Sequence, residues 1–351
     1  VVSGSLIPTL LAAQSVNFSG TELLGRPTNN SVSVNVVPDA NIGQLYYQYG
    51  TSPGVYTGQT ATTAAAAGVP HETLISGLSS NTKYYYRMQY STDGGSTWTA
   101  RPEHSFYTRR AEGSTFRFTV SSDSHVNILL GNATTWQQTL SNIATESPDF
   151  HLDLGDTFAM DNVTTQDGAN SAYLFQRSAS YFGAIGHSSP VFLATGNHEQ
   201  EEGWHLDDTG NPLTSQPVMG TNARKKYFIN PVPDAFYSGN SDTYASLDGD
   251  HLHEDYYAWQ WGDALFIVID PFWYTTAKPF IGNTGGGEGT DTGTGDRWDW
   301  SLGLTQFNWL KQTIENSTAK YKFIFAHHYT GGSDDYVRGG AVPAHICEWG
   351  G

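Results

Sequence analysis

Two patterns of apolar and polar positions divide the chain into an early and a later region. In the early region apolar and polar residues alternate with period two, for example in Val32–Val36 and Lys83–Tyr90. Such alternation is typical of strands that bury one face. It predicts a β-sandwich over residues 21–109, preceded by a leader or linker over residues 1–20.

One stretch near the end of the early region is more specific. Leu78–Tyr86 has the form of a turn followed by a tyrosine-rich strand, and it resembles the corner of a fibronectin type III sandwich. In such sandwiches a tyrosine closes the corner by hydrogen bonding back to the chain. Another small β-sandwich would fit the same residues, and this choice changes little about function.

From residue 110 onwards, short apolar runs alternate with segments of helical spacing. The runs predict strands at Phe116–Val120, Phe150–Leu154, Val191–Ala194 and Tyr321–Phe325, with a strand pair in Tyr256–Asp270. The helical spacing predicts helices at Thr134–Thr145, Ala172–Phe182 and Thr305–Ile314. Strands that alternate with helices indicate an α/β domain, which we assign to residues 110–351.

Two stretches break this alternation. Residues 200–255 are mostly polar and aromatic, and we expect part of this stretch to form long loops that wall a substrate cleft. Within it, His251 and His253 resemble a metal-binding pair, but we expect a solvated loop, and we expect Arg224 at the surface. Gly282–Asp296 is rich in Gly, Thr and Asp, which predicts a surface insertion, with calcium binding as the alternative.

Composition and charge narrow the function classes. The chain has 17 basic and 34 acidic residues, a net charge of −17, which disfavours binding to nucleic-acid backbones. Its single cysteine, Cys347, excludes an intrachain disulfide and a zinc site built from several cysteines. No apolar run reaches the roughly 18 residues of a membrane span. The chain opens at Val1 without methionine, so we expect a processed protein in an extracellular or periplasmic location.

Four polar motifs follow predicted strands of the later region. They are Asp123-Ser124-His125, Gly155-Asp156, Gly196-Asn197-His198-Glu199 and Ala326-His327-His328. Ligands of α/β proteins gather at the C-terminal ends of the strands, so we expect these motifs to converge. Each motif alone is weak evidence, although Gly-Asn-His-Glu is much rarer than the others. The specificity comes from the order, the spacing and the shared strand-end position of all four motifs.

The residue types in these motifs suit a phosphoester chemistry based on two metal ions. Phosphoester hydrolysis needs a nucleophile at neutral pH and neutralised phosphoryl oxygens, and two metal ions about 3.5–4 Å apart supply both. A bridging carboxylate holds such a pair, while imidazoles and single oxygens that suit Fe, Zn or Mn fill the other positions. The candidate metal ligands are Asp123, His125, Asp156, Asn197 and His327.

Further motif residues complete a hypothesis for catalysis. Because the amide of Asn197 faces a metal, His198 is expected to face the substrate and to protonate the leaving oxygen. Glu199 is expected to orient His198 through a hydrogen bond. His328 and Arg338 are candidate substrate contacts, since a guanidinium suits a phosphate, with packing and surface placement as the alternatives.

The series of motifs resembles that of the calcineurin-like metallophosphoesterase superfamily, whose pattern is Asp-x-His, Gly-Asp, Gly-Asn-His-Glu/Asp, His and then Gly-His-x-His. With a sandwich in front, the arrangement also resembles that of purple acid phosphatases. The resemblance implies an N-terminal β-sandwich followed by a four-layer α/β/β/α domain. It further implies two metal sites that share Asp156, with Asp123 and His125 in one, and Asn197 and His327 in the other.

Two departures from the family pattern matter. Purple acid phosphatases have glycine where this chain has His125, and tyrosine where it has Ala159, so ligation of ferric iron by tyrosinate is not expected. In addition, no Gly-His-x-His follows His327, although that motif gives one histidine to each metal. The sequence ends at Gly351 in a loop-like run, and we therefore expect a domain that is incomplete at its C-terminus.

Two hypotheses for function follow. The leading hypothesis is hydrolysis of a small-molecule phosphate monoester or diester by a metal-bridging hydroxide. The alternative is an extracellular structural or adhesive protein on a degenerate phosphatase scaffold. The missing final motif and the β-sandwich favour the alternative, whereas the retained ligands oppose it, because sequence drift would have eroded some of them.

Overall fold

The structure is a computed structural model. It describes residues 15–128, 131–277 and 301–327, and the backbone of three short strands at 332–334, 337–338 and 346–347. Among these residues, no helix is both long enough and apolar enough to cross a membrane.

The N-terminal region folds into two antiparallel sheets. Its strands are Phe18–Gly25 (β1), Ser31–Pro38 (β2), Ile42–Gly50 (β3), Gly58–Gln59 (β4), Thr63–Ala65 (β5), His71–Ser76 (β6), Lys83–Ser91 (β7), Thr99–Ala100 (β8) and His104–Tyr107 (β9). One sheet has the order β1-β2-β6, and the other has the order β4-β3-β7-β8 with β5 on β3 and β9 on β7. The alternating apolar side chains Val32, Val34 and Val36 face Tyr47 and Met88 in the core between the sheets.

Two features of the sandwich bear on its sequence pattern. The backbone N–H of Ser79 donates to the Tyr84 hydroxyl at 2.9 Å, so a tyrosine does close the corner before β7. Strand β2 is buried on both faces, because the guanidinium of Arg177 reaches from the later domain and donates to the carbonyl oxygens of Thr21 and Asn35. Arg177 is fully buried and joins the two regions.

The later region alternates strands and helices. Its elements are Phe118–Ser121 (β10), Ala133–Glu146 (α1), Phe150–Asp153 (β11), Gln166–Arg177 (α2), Val191–Leu193 (β12), Gln216–Tyr227 (α3), Ser238–Gly239 (β13), Thr243–Ser246 (β14), Gly249–Leu252 (β15), Tyr257–Trp261 (β16), Ala264–Val268 (β17), Gly303–Asn316 (α4) and Tyr321–Phe325 (β18). The backbone of three short strands follows, Gly332–Asp334 (β19), Val337–Arg338 (β20) and Ile346–Cys347 (β21).

These elements form four layers, as predicted. Strands β10, β11 and β12 make a parallel sheet, and β13, β16, β17 and β18 make a second sheet in which β17 and β18 are parallel. Aromatic side chains fill the space between the sheets, including Phe150, Phe192, Trp259 and Phe266. Helices α1, α2 and α3 cover the outer face of the first sheet, and α4 covers that of the second. The predicted fold class is confirmed.

Local sequence signals explain the helix boundaries only in part. In α1 the Asn132 side chain accepts a hydrogen bond from the N–H of Thr135, and Trp136, Leu140 and Ile143 form the buried stripe. The predicted helix at 172–182 instead begins at Gln166 and ends at Arg177, because Thr165 caps it through the N–H of Gly168.

The expectation of long loops across residues 200–255 is wrong, because this stretch contains α3 and the β14–β15 hairpin. Helix α3 shows no apolar stripe in the sequence, because its buried residues lie on most sides of the helix and include the charged Arg224. The carboxylate of Glu201 neutralises this guanidinium, with both oxygens 2.8 Å from its nitrogens. The expected surface position of Arg224 and the solvated setting of His253 are therefore both wrong, whereas His251 is exposed.

Candidate metal centre

The four motifs meet where the two sheets present the C-terminal ends of their strands. The first three motifs follow the parallel neighbours β10, β11 and β12 in that order, and the fourth follows β18 of the second sheet. The predicted convergence is therefore observed for the residues that the structure describes. We call the set the open cluster, and its members are Asp123, His125, Asp156, Asn197, His198 and His327.

The backbone at the open cluster is held in unusual conformations. Asp123, His125 and Asp156 all have positive φ, at 57°, 50° and 56°, a region that non-glycine residues rarely adopt and that is concentrated at functional sites. Two hydrogen bonds support this backbone, from the Asp123 N–H to the Gly155 carbonyl at 2.9 Å and from the His125 N–H to the Asp156 carbonyl at 3.1 Å. A Cβ on Gly155 would lie 2.2 Å from the Gly196 nitrogen, so the close approach of the two loops requires glycine there.

The carboxylate of Asp156 is the centre of the cluster. Its Oδ2 lies 3.1 Å from Nε2 of His125 and 3.4 Å from Nε2 of His327, and its Oδ1 accepts a hydrogen bond from the His198 N–H at 2.9 Å. Asp123 Oδ1 lies 3.7 Å from the same His125 nitrogen. A carboxylate with imidazoles on both sides has the arrangement expected of a bridging ligand.

The charges of the cluster favour an ionised Asp156. Burial alone would raise the pKa of its carboxyl group, but the hydrogen bonds of His125 and His327 outweigh burial and hold the pKa below its ordinary value. Burial likewise disfavours the charged form of His327, yet Asp156 raises the pKa of this imidazole to about 9. The cluster therefore attracts positive charge strongly.

The orientation of His327 fits a metal ligand. Its Nδ1 lies 3.0 Å from the Leu154 carbonyl oxygen and donates to it, which directs Nε2 towards Asn197 Oδ1 at 3.2 Å and towards Asp156. A neutral ring would point its Nε2 lone pair at oxygen lone pairs, so the position calls for a cation, either a proton or a metal ion. Imidazole nitrogen with carboxylate and amide oxygen is a donor set that suits Fe, Zn or Mn.

The distances do not by themselves divide the ligands between two ions. Ligand atoms of Asp123, Asp156 and His327 lie within 4.8 Å of one another, and so do those of His125, Asp156 and His198. Asp156 belongs to both groups. Its role as a bridging ligand stays a prediction.

His198 is oriented by a residue that the sequence motifs did not indicate. Its Nδ1 lies 2.5 Å from Oδ1 of Asp161, and its Nε2 lies 3.9 Å from Oδ2 of Asp156. Burial lowers the pKa of His198, but Asp161 and Asp156 together raise it above its ordinary value, which favours the protonated ring. Asp161 lies in the exposed loop before α2 and belongs to no recognisable motif, so only the fold places it beside His198.

The prediction that Glu199 orients His198 is wrong. Glu199 is buried, and its Oε2 accepts from the N–H groups of Asp156 and Gly196 at 2.9 and 2.6 Å. Its Oε1 accepts from the N–H groups of Thr157 and Phe158, each at 2.9 Å. Buried backbone N–H groups need acceptors, and the Glu199 carboxylate supplies one to each of these four. Glu199 thus ties the Gly-Asp loop to the Gly-Asn-His-Glu turn.

Other predicted site residues are not placed by the structure. His328 and Gly282–Asp296, the candidate calcium loop, lie outside the described residues. Arg338 lies in strand β20, of which the structure describes the backbone and not the side chains.

Solved structures resemble the chain to different extents. The structure of PhoD has a TM-score of 0.59 and 17% identity, and the match covers 87% of this chain and 61% of PhoD. A computationally redesigned β-sandwich protein matches with a TM-score of 0.23, at 17% identity over 29% of this chain and 100% of its own. The sensor domain of the anti-sigma factor RsgI4 from Pseudobacteroides cellulosolvens matches with a TM-score of 0.21, at 10% identity over 27% of this chain and 75% of its own.

The PhoD match supports the fold across both regions, while this chain spans less than two thirds of that protein. None of the curated proteins matches the chain. Residues 116–349, which contain all four motifs, match the calcineurin-like phosphoesterase family. The chain therefore belongs to the calcineurin-like phosphoesterase family.

Proposed function

We propose that this protein hydrolyses phosphate monoesters or diesters of small molecules with the help of two metal ions, Fe, Zn or Mn. The observation that carries the proposal is the convergence of four strand-end motifs on the single carboxylate of Asp156. Membership of the calcineurin-like phosphoesterase family supports the same chemistry.

Each residue of the open cluster has a proposed role. Asp123, His125 and Asp156 would hold one ion, and Asp156, Asn197 and His327 would hold the other. When bound, such ions supply a nucleophile at neutral pH and neutralise phosphoryl oxygens. The hydrogen bond from His327 to the Leu154 carbonyl fixes the ring so that its other nitrogen faces the cluster.

His198 is proposed to donate a proton to the leaving oxygen. Asp161 holds its Nδ1, so that Nε2 is directed into the cluster, close to the Asp156 carboxylate. A protonated imidazole beside the scissile bond acts as a general acid, which typically contributes about 10²–10⁴-fold to the rate. Asp161 is then a positioning residue, because it acts through His198.

Glu199 is proposed to fix the positions of the metal ligands. By accepting hydrogen bonds from both turns, it fixes the backbone on which Asp156 and Asn197 are mounted. Precise placement matters in such a site, because a displacement of about 1 Å lowers the rate by about 10².

The proposal is tested with the purified chain and two chromogenic substrates, p-nitrophenyl phosphate and bis-p-nitrophenyl phosphate. We expect turnover of at least one ester, loss of turnover after chelation, and recovery after Fe, Zn or Mn is added back. The ratio of the two rates distinguishes a monoesterase from a diesterase. Absence of turnover in metal-loaded protein would contradict the enzyme assignment and favour the scaffold alternative.

A further inference from the structure

A second group of metal-ligating side chains lies away from the motifs. We call it the closed cluster, and it consists of His253, Asp255 and Asp270. Their exposed fractions are 1%, 2% and 0%. One ligand atom from each lies within 4.8 Å of the others.

Two separate segments supply the ligands of the closed cluster, and a third segment supports them. His253 and Asp255 lie in the connection between β15 and β16, on either side of Glu254, which has a φ of 62°. Asp270 follows β17, and the Gln306 side chain pairs with both of its backbone groups, at 2.9 and 2.7 Å. The Asp270 Oδ1 accepts from the Phe272 N–H at 2.7 Å. The cluster is therefore held rigidly before any ligand is considered.

Several polar atoms of the closed cluster have no hydrogen bond. Among the described residues, this holds for both ring nitrogens of His253, for Asp255 Oδ2 and for Asp270 Oδ2. The His253 Nδ1 and Asp255 Oδ2 are 2.9 Å apart, but the N–H is not aligned with the oxygen. Burying a polar group without a partner destabilises a protein, so four such atoms in one place indicate a missing partner.

The charges around Asp255 and Asp270 also indicate a missing partner. Arg224 is the nearby guanidinium, but it is occupied by both oxygens of Glu201 and by the carbonyl oxygens of His253 and Glu254. Asp255 and Asp270 therefore face one imidazole between them. Buried carboxylates that lie close together need a compensating cation, either a proton or a metal ion.

We propose that the closed cluster binds a divalent transition-metal ion, Zn²⁺ or Mn²⁺, in a structural role. One imidazole nitrogen and two carboxylate oxygens form a donor set that suits these ions. A proton shared by the two carboxylates is the competing explanation, but among the described residues it still leaves both His253 ring nitrogens without a hydrogen bond, with Nδ1 only in ionic contact with Asp255. Complete burial of all three ligands leaves no open position for a substrate, which separates this site from a catalytic one.

The ion would join elements that support the open cluster. It would connect the β15–β16 link to the end of β17, the strand next to β18, which carries His327. The ring of Phe272, two residues after Asp270, lies 6.2 Å from the ring of His327. The Phe272 carbonyl also accepts from the Gly203 N–H at 3.1 Å, in the segment that follows Glu199.

The decisive experiment is anomalous diffraction from crystals of the full chain grown with ZnCl₂ or with MnCl₂, with data collected at the corresponding absorption edge. We expect an anomalous peak between His253, Asp255 and Asp270, separate from any peak at Asp156. Absence of a peak there with both ions would overturn the proposal and leave a shared proton as the cation. This measurement needs no variant.

Metal content provides an independent check in solution. In an Asp156→Asn background, we expect about one equivalent of metal to remain after dialysis. Adding His253→Phe should remove it, whereas His251→Phe, at the exposed neighbour on the same hairpin, should not. Retention of that equivalent in a folded His253→Phe chain, checked by circular dichroism, would contradict the site. If that variant does not fold, the anomalous map decides.

Discussion

The open and closed clusters contain the same kinds of side chain in opposite settings. Both combine histidine with aspartate, and both use a residue that follows a strand of the second sheet, His327 after β18 and Asp270 after β17. In the open cluster the Asp123 side chain is 53% exposed and the His125 side chain 26%, whereas no member of the closed cluster exceeds 2%. The same kinds of ligand can therefore meet a substrate where the sheet edge is open to solvent. In the buried interior they can only hold a cation.

The two clusters also differ in how their donors are satisfied. At the open cluster the Asp156 carboxylate already has imidazoles and a backbone N–H around it. At the closed cluster, the Oδ2 atoms of Asp255 and Asp270 and both ring nitrogens of His253 have no hydrogen bond among the described residues. Protein contacts thus surround the central carboxylate of the open cluster, whereas the closed cluster has ligand atoms that the proposed ion would partner. Four predictions test this contrast, beginning with the substitution that should cost the most activity.

Asp156→Asn should have the largest effect on activity. The neutral amide cannot bridge two cations as a carboxylate does, so we expect kcat/KM for a p-nitrophenyl ester to fall by at least about 10³-fold. The matched control is Asp250→Asn, since Asp250 is exposed on β15 and distant in sequence from every motif. Activity within a few fold of the unmodified chain in Asp156→Asn would remove the open cluster from catalysis.

Glu199→Gln should lower both activity and stability. The amide nitrogen of glutamine cannot accept the backbone N–H groups that one carboxylate oxygen now accepts. We expect kcat to fall by about 10² and the free energy of unfolding to fall by about 2–4 kcal/mol, measured by urea denaturation. Glu146→Gln, at an exposed surface ion pair with Arg117, is the control and should change neither quantity appreciably.

Asp161→Asn should reduce kcat by about tenfold and leave KM nearly unchanged, because a positioning residue acts on the proton donor and not on binding. The loss should be absent when His198 is already replaced. We therefore compare Asp161→Asn, His198→Asn and the double variant in one cycle. Additive losses in that cycle would show that Asp161 acts independently of His198.

A chelator should remove metal from the open cluster faster than from the closed cluster. With EDTA, activity should disappear while the exposed ligands of the open cluster lose metal. A second, slower loss of metal should follow, since the ligands of the closed cluster are buried. When metal is then restored to the open cluster alone, kcat should return to within about twofold of its value in the fully metal-loaded protein. The melting temperature should stay about 5 °C below that of the fully loaded protein. A single phase of metal loss would argue that only one kind of site exists.

Sequence patterns predicted well those elements that bury one face, and those strands that a polar motif follows. Strand β18 begins and ends at the predicted residues, and α1 differs from its prediction by only a residue at each end. Helix α3 was missed because Arg224 stands where an apolar residue would be expected. Its burial becomes acceptable through Glu201 and the carbonyl oxygens of His253 and Glu254, which are distant in sequence. Asp161 and the members of the closed cluster carry no motif, since they come together only through loops of the folded chain.

The order of residues was enough to predict the fold class, the family and the convergence of the four motifs, because periodicity and strand-end position are local properties. Which residue holds His198 and what Glu199 binds became visible only in the folded chain, because both depend on which donors remain unsatisfied after the turns form. The tertiary fold also buries His253 beside two aspartates. Burial and long-range pairing set these roles, and neither can be read from the spacing of residues along the chain.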